Sequence, residues 1–195
     1  MIRFFDLLFS FLGLIILFPF FLIISIAILI NSRGGIYFLQ NRVGRNNRDF
    51  YLIKFRTMYI GADKLGGLTV GNHDQRITSV GYFLRKYKLD ELPQLMNVLK
   101  GEMSIVGPRP ELRKYVELYS EDQKKVLDVR PGITDIASLD YIDENEILGT
   151  SSDPEKTYIE QIMPAKLELN KVFLNNRSVR NYFRIIGITL KKMFR

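Results

Sequence analysis

From Leu7 to Ile30 the chain runs through 24 uncharged and almost wholly apolar residues, with only Arg3 and Asp6 charged before Ile30. At about 1.5 Å per residue this run predicts a helix of ~36 Å, enough to cross a hydrocarbon core of ~30 Å. Pro19 stands near its middle. Proline has no N–H and clashes with the carbonyl four residues back, so it predicts a kink or break between arms 7–18 and 20–30. Arg33, Arg42, Arg45, Arg48, Lys54 and Arg56 follow the run and hold its C-terminal side in the cytoplasm, and Arg3 gives the N-terminus a weaker preference of the same sign. A re-entrant hairpin and a kinked spanning helix both fit, and the physics alone does not choose between them. A signal peptide fits poorly, because its apolar region is typically ~7–15 residues and ends at a small-residue cleavage site.

After the apolar run the pattern changes period. Ile36 to Val43 and Asp49 to Met58 are rich in β-branched and aromatic residues and are separated by Gly44-Arg45-Asn46-Asn47, which predicts a hairpin. Gly61 to Thr78 reads as a loop that holds Gly66, Gly67 and Gly71 but neither GxxxxGK nor GxGxxG. Short helices are expected over Val80–Tyr87 and Leu92–Leu99, the second opened by Pro93 and closed by Gly101. Leu112, Tyr115, Val116, Leu118 and Tyr119 among charges predict an amphipathic helix over 110–127. Asp135 to Ser152 reads as polar and irregular, with Asp140, Asp143, Glu144 and Glu146 clustered. Glu155 to Leu174 reads as helix interrupted near Pro164. The last stretch sets Val179, Phe183, Ile186 and Leu190 at helical spacing among Arg177, Arg180, Arg184, Lys191, Lys192 and Arg195, which suits either a helix on an anionic bilayer or one packed on the core with a solvated basic face.

The resulting fold class is α+β: a membrane helix over 1–32 and one compact domain over 33–195 with amphipathic helices. Composition narrows the chemistry. There is no Cys, which excludes disulfide frameworks, thiolate metal sites and cysteine nucleophiles, and the one His, His73, excludes most metal triads and reads as a loop residue without a role. Net charge is +7, all of it carried after residue 30, so the partner is anionic: nucleic acid, lipid surface or phosphorylated substrate. Neither an RNP-like aromatic pattern nor a basic recognition helix is present, which argues against nucleic acid.

Chemistry-bearing residues are densest from Arg85 to Arg109. Asp90-Glu91 precedes Leu92-Pro93-Gln94, Arg85, Lys86 and Lys88 precede the pair, and Arg109 stands between Pro108 and Pro110. Adjacent acids before a helix have a structural explanation, Asp90 as N-cap and Glu91 in the first turn. Carboxylates beside cations and helix amides also stay ionised, as a carboxylate nucleophile or a Mg²⁺ ligand requires.

These residues resemble the bacterial sugar transferase family, the small monotopic phosphoglycosyl transferases, through Gln40-Asn41-Arg42-Val43-Gly44, Lys54-Phe55-Arg56-Thr57-Met58, Arg76-Ile77-Thr78, Asp90-Glu91-Leu92-Pro93-Gln94, Lys100-Gly101-Glu102-Met103-Ser104, Val106-Gly107-Pro108-Arg109-Pro110 and Arg130-Pro131-Gly132-Ile133-Thr134. The resemblance implies a UDP-sugar donor, a polyprenyl phosphate acceptor and release of UMP. It also implies a re-entrant hairpin broken at Pro19, with the catalytic domain on the cytoplasmic face of the inner membrane. Asp90 matches the family's nucleophile, and Glu91, with Asp90 beside it, its Mg²⁺ site. Arg85 and Arg109 match its phosphate-binding arginines, and Lys54, Arg56 and Arg130 are further candidates for the pocket wall or for head-group contacts. The partners implied are the donor, the acceptor and the lipid bilayer, without nucleic acid; a homodimer stays open.

Two departures from the family pattern limit the transfer. Phe18 precedes Pro19 where relatives often carry Ser, and Asp135-Ile136-Ala137-Ser138 follows Pro-Gly-Ile-Thr, so the sugar is not carried over from any relative. The alternative of another class is a non-enzymatic, membrane-anchored basic module that binds anionic lipid or nucleic acid. Such a tether needs no acidic pair, and a UMP-release assay separates the two.

Overall fold

The computed structural model describes residues 1–62, 74–141 and 144–193, so His73, the glycines at 66, 67 and 71 and Asp143 lie outside the described residues. Helix α1, Ile2–Asn31, runs through Pro19 without interruption, so the expected separate arms 7–18 and 20–30 are one helix. Asp6, Ser10, Phe21 and Ile28 are buried along it, and Leu14, Leu17 and Ile24 pack beside them, a spacing of three and four residues that draws one stripe along the helix. That stripe continues on both sides of Pro19, and packing along it offsets the hydrogen bond that proline omits.

Both ends of α1 are tied to the same body. Near the N-terminus, Asp6 accepts hydrogen bonds from the Ser104 hydroxyl at 2.9 Å, the Ile105 amide at 2.9 Å and the Tyr182 hydroxyl at 3.0 Å. At the C-terminus, Asn31 donates to the Ser79 hydroxyl at 2.8 Å, and Arg56 donates to the carbonyls of Ser32 and Arg33, each at 2.7 Å. The opposite face carries Phe11, Ile15, Ile16, Phe18, Phe20, Ile23 and Ile26 in the open. An apolar surface of that extent needs a non-aqueous neighbour.

Strands β1, Tyr37–Val43, and β2, Asp49–Phe55, form the expected antiparallel hairpin with Phe38 opposite Lys54 and Arg42 opposite Phe50. Its turn uses left-handed Asn46 and Asn47, at φ 57° and 59°, a conformation that Asn tolerates better than most residues. The two short helices also form, α2 over Ser79–Lys86 and α3 over Gln94–Lys100. Thr78 caps α2 by accepting from the Gly81 amide at 2.9 Å, and a Cβ on Gly81 would stand 2.0 Å from the Thr57 carbonyl, so α2 seats directly on the chain leaving β2. Buried Asn97 fixes α3 to β2, accepting from the Ile53 amide at 3.0 Å and donating to the Tyr51 carbonyl at 2.8 Å.

Beyond α3, strands β3, Ser104–Val106, and β4, Gly132–Thr134, pair in parallel, which sets the segments after each of them at one edge. The long amphipathic helix expected over 110–127 is instead α4, Arg113–Val116, and a 3-10 segment over Gln123–Asp128. The interruption has a local cause: Ser120 and Gln123 exchange side-chain-to-amide hydrogen bonds of 2.9 and 3.3 Å and start a new helical turn. The stretch read as irregular holds α5, Ile136–Asp140, capped by Asp135, and α6, Glu144–Thr150. Helix α7, Pro154–Thr157, passes through a π turn, Tyr158–Ile162, into α8, Met163–Asn175, so the interruption near Pro164 is a widened turn just before it. Helix α9, Val179–Met193, buries Tyr182 and Ile185 against the N-terminal turns of α1 and β3, a stripe shifted from the one expected; Phe183 flanks it against Phe5 and Phe9, and Leu190 is exposed.

Candidate active site

Four elements deliver charged side chains to one place. Lys54 comes from the end of β2, Arg85 from the last turn of α2, Asp90 and Glu91 from a single 3-10 turn, Leu89–Glu91, and Arg109 from the segment after β3. Lys88 makes the turn possible. Its φ of 55° reverses the chain between α2 and the acidic pair, a conformation that costs a non-glycine residue roughly 1 kcal/mol. The capping explanation of Asp90 does not hold, because α3 starts three residues after Glu91 with Pro93 before it and no side-chain cap.

Glu91 accepts from Lys54 Nζ at 3.0 Å and from Arg109 Nη2 at 2.5 Å on Oε1, and from Arg109 Nη1 at 3.2 Å on Oε2. All three side chains are mostly shielded from solvent. Burial opposes ionisation of Glu91, but Arg109 and Lys54 overcome it by charge and hydrogen bonding and hold the carboxyl well below its usual range. Asp90 moves the other way: burial pushes it up, Lys54 and Arg85 pull against that, and the neighbouring Glu91 charge adds to the rise. The two neighbouring carboxyls are therefore shifted in opposite directions, Glu91 down and Asp90 up. Arg85 is oriented by its Nε, which donates to the Thr57 hydroxyl at 2.8 Å.

The other two cations are elsewhere. Arg56 is turned to the C-terminal end of α1, and Arg130 donates from Nε to the Gly101 carbonyl at 2.8 Å, at the far end of α3 from the acidic pair. The structure therefore brings Lys54, Arg85 and Arg109 together with Asp90 and Glu91, and uses Arg56 and Arg130 as braces.

Sequence reasoning missed the support behind Arg109. Arg42 donates to the Pro110 carbonyl and to Glu111 Oε1, both at 3.1 Å, the Val43 amide donates to the Glu111 carbonyl at 2.9 Å, and the Tyr158 hydroxyl donates to Glu111 Oε2. These bonds lash the Arg109–Glu111 segment to β1. Asp135 and Glu144 face Arg109 and, after Glu91, help to raise its pKa. Only the Gln40–Gly44 block hinted at Arg42; its partners Pro110 and Glu111, and the Tyr158 that bonds Glu111, are far away in sequence. A cavity of about 40 Å³ beside Arg109, lined by Glu111, Tyr119, Tyr158 and Asn170 among others, is far below the ~300 Å³ of a small-molecule pocket.

No group of three or more His, Cys, Asp or Glu side chains is placed to hold a metal ion among the described residues. Asp90 and Glu91 still suit Mg²⁺, which takes one or two protein carboxylates and completes its shell with substrate phosphates and water.

The profile of the bacterial sugar transferase family matches residues 1–195. A UDP-N-acetylgalactosamine-undecaprenyl-phosphate N-acetylgalactosaminephosphotransferase of Aeromonas hydrophila is 37% identical over 164 residues, which are 83% of this chain and 36% of the relative. A UDP-glucose:undecaprenyl-phosphate glucose-1-phosphate transferase of Klebsiella pneumoniae is 35% identical over 192 residues, 97% of this chain and 39% of that protein. A putative undecaprenyl-phosphate N-acetylgalactosaminyl 1-phosphate transferase of Bacillus subtilis (strain 168) is 41% identical over 120 residues, 62% of this chain and 67% of the relative. The chain thus spans little more than a third of the first two and about two thirds of the third. With the family profile matched from end to end, the chain belongs to the bacterial sugar transferase family.

Proposed function

We propose that this protein transfers a sugar 1-phosphate from a UDP-sugar to a polyprenyl phosphate in the membrane. The observation that carries the reading is the buried Asp90-Glu91 pair ringed by Lys54, Arg85 and Arg109 on a body bonded to both ends of an apolar helix. An Asp90 oxygen attacks the sugar-side phosphorus of the donor. The bond from that phosphorus to the UMP oxygen breaks, leaving a phosphosugar ester on Asp90, and an oxygen of polyprenyl phosphate then displaces Asp90 and regenerates its carboxylate. Arg85 and Arg109 hold the diphosphate, and Lys54 lies where charge moves between the phosphates. Mg²⁺, when bound by Glu91 with Asp90 beside it, neutralises the diphosphate and the departing phosphate.

The bilayer supplies the apolar neighbour that the exposed face of α1 needs. Asp6 and Asn31, near opposite ends of α1, bond to the same body, which supports a re-entrant course in which α1 bends at Pro19 and the catalytic residues stay at the cytoplasmic face of the inner membrane. Exposed Phe183 and Leu190 of α9, with the flanking Lys and Arg, extend that contact along the lipid surface, where basic residues also draw in the acceptor's phosphate.

The test is incubation of the protein in membranes with Mg²⁺ and a panel of UDP-sugars, with and without polyprenyl phosphate. Without acceptor, UMP is released once per active site and a phosphosugar adduct maps to the peptide carrying Asp90. An adduct-free protein with strictly sequential kinetics would replace covalent catalysis by direct transfer, and no UMP from any donor would favour the tether.

A further inference from the structure

We infer that Lys54 and Arg109 form a gate on Glu91, which keeps the carboxylate from a divalent cation until a diphosphate draws them away, so that the anion and metal sites open together. The inference rests on the donor and metal roles proposed above. Both oxygens of Glu91 are already engaged: Oε1 by Lys54 Nζ at 3.0 Å and Arg109 Nη2 at 2.5 Å, Oε2 by Arg109 Nη1 at 3.2 Å. A Mg²⁺ ion binds a carboxylate oxygen at about 2.0–2.1 Å, which would press it against two positive charges in a site shielded from water. The same two cations are the groups a diphosphate attracts, since guanidinium and phosphate pair through two parallel hydrogen bonds and the diphosphate carries more charge than one carboxylate.

The surroundings favour an exchange by side chains over a moving loop. Arg109 is fixed between Pro108 and Pro110 and lashed to β1 through Arg42, and Lys54 is a ladder residue opposite Phe38, so neither backbone has far to travel. Arg109 is a guanidinium and stays charged when it lets go of Glu91. Diphosphate binding then uncovers the carboxylate that Mg²⁺ needs, and the ion neutralises the charge that Lys54 and Arg109 no longer balance. Each ligand strengthens the other, as linkage requires.

The experiment reads binding, not turnover. Equilibrium dialysis of labelled UDP against the membrane-embedded protein in EDTA compares wild type with Glu91→Gln, in which the two cations are released. About tenfold tighter UDP binding by Glu91→Gln is expected. Equal binding overturns the gate and leaves the donor reading standing, whereas no UDP binding by either protein removes both. Should Glu91→Gln fail to fold, Lys54→Met opens the gate from the other side. Electron paramagnetic resonance titration with Mn²⁺ alone should then show several-fold tighter metal binding than wild type, and unchanged weak binding overturns the gate.

Discussion

Both ends of α3 gather basic side chains, and these do different work. At its N-terminal end, Lys54 and Arg109 meet Glu91, and Arg85 meets Thr57, around a turn that bends through left-handed Lys88. At its C-terminal end, Arg3 donates to the Val98 carbonyl at 2.7 Å and the Met103 carbonyl at 3.2 Å, Arg130 donates to Gly101, and the turn uses left-handed Gly101 at φ 89°. A cation on the last carbonyls of a helix adds a donor there, beside the Gly101 amide that also reaches the Val98 carbonyl, and complements the helix dipole. A cation on a buried carboxylate is held by a group that has chemistry of its own and that a stronger anion can displace. What separates a brace from a site is the acceptor, and net charge carries no record of it.

Asp90→Asn is the sharpest attempt to break this contrast. As the nucleophile, Asp90 cannot be replaced by its amide, and kcat for UMP release should fall on the order of 10⁴-fold or more, the scale seen when a nucleophile is removed. The melting temperature should stay near wild type, because α3 is not capped by Asp90 and an amide in its place removes a buried charge. Activity within tenfold of wild type would make the acidic pair another brace.

The same substitution at both ends comes next. Arg109→Lys keeps the charge but loses the planar fork that grips Glu91, so kcat/KM should drop about 10²–10³-fold. Arg130→Lys at the other end should leave kcat/KM within about threefold and cost about 1 kcal/mol of stability for its one bond to Gly101. Equal kinetic losses in a donor titration of the two variants would erase the distinction.

Much of this was legible in the sequence wherever a local rule decided the outcome. The hairpin followed from alternating β-formers around Gly44–Asn47, and α3 from Pro93 before and Gly101 after it. Asp90, Glu91, Arg85 and Arg109, which the structure gathers, stood out by residue type and order, whereas Lys54 was named only through the family resemblance, alongside Arg56 and Arg130. Contacts between distant segments stayed hidden. Arg56 and Arg130 differ from Arg109 only in which backbone oxygens the fold brings to them, and the Arg42–Glu111–Tyr158 support joins three elements with no shared spacing. The continuous α1 depends on a stripe of tertiary packing that outweighs Pro19, and the loss of a single helix over 110–127 turned on a side-chain exchange between Ser120 and Gln123.

Arg56 tests the brace class where it is most buried. Arg56→Met removes bonds to the carbonyls of Ser32 and Arg33 and leaves those acceptors without a donor, at about 2 kcal/mol. For a chain of this size that is a fall of roughly 4–8 °C in melting temperature. UMP release per folded molecule should hold, and a loss of turnover at full thermal stability would return Arg56 to the phosphate-binding group.

The smallest effect lies in the two left-handed residues themselves. Gly101 occupies its position without steric cost, while Lys88 at φ 55° is strained where its Cβ crowds the backbone. Lys88→Gly relieves that strain but adds freedom to the unfolded chain, so a net gain of about 0.4–1 kcal/mol is expected, or ~1–4 °C. Lys88→Ala provides the control. It removes the same charge near Asp90 and keeps the Cβ, so any change in donor KM common to both variants belongs to the charge and any difference in melting temperature belongs to the backbone. The reverse pair, Gly101→Ala, should lose 1 kcal/mol or more for the same reason. If Lys88→Gly melts below Lys88→Ala, the turn before the acidic pair holds no strain, and the two ends of α3 differ in their acceptors alone.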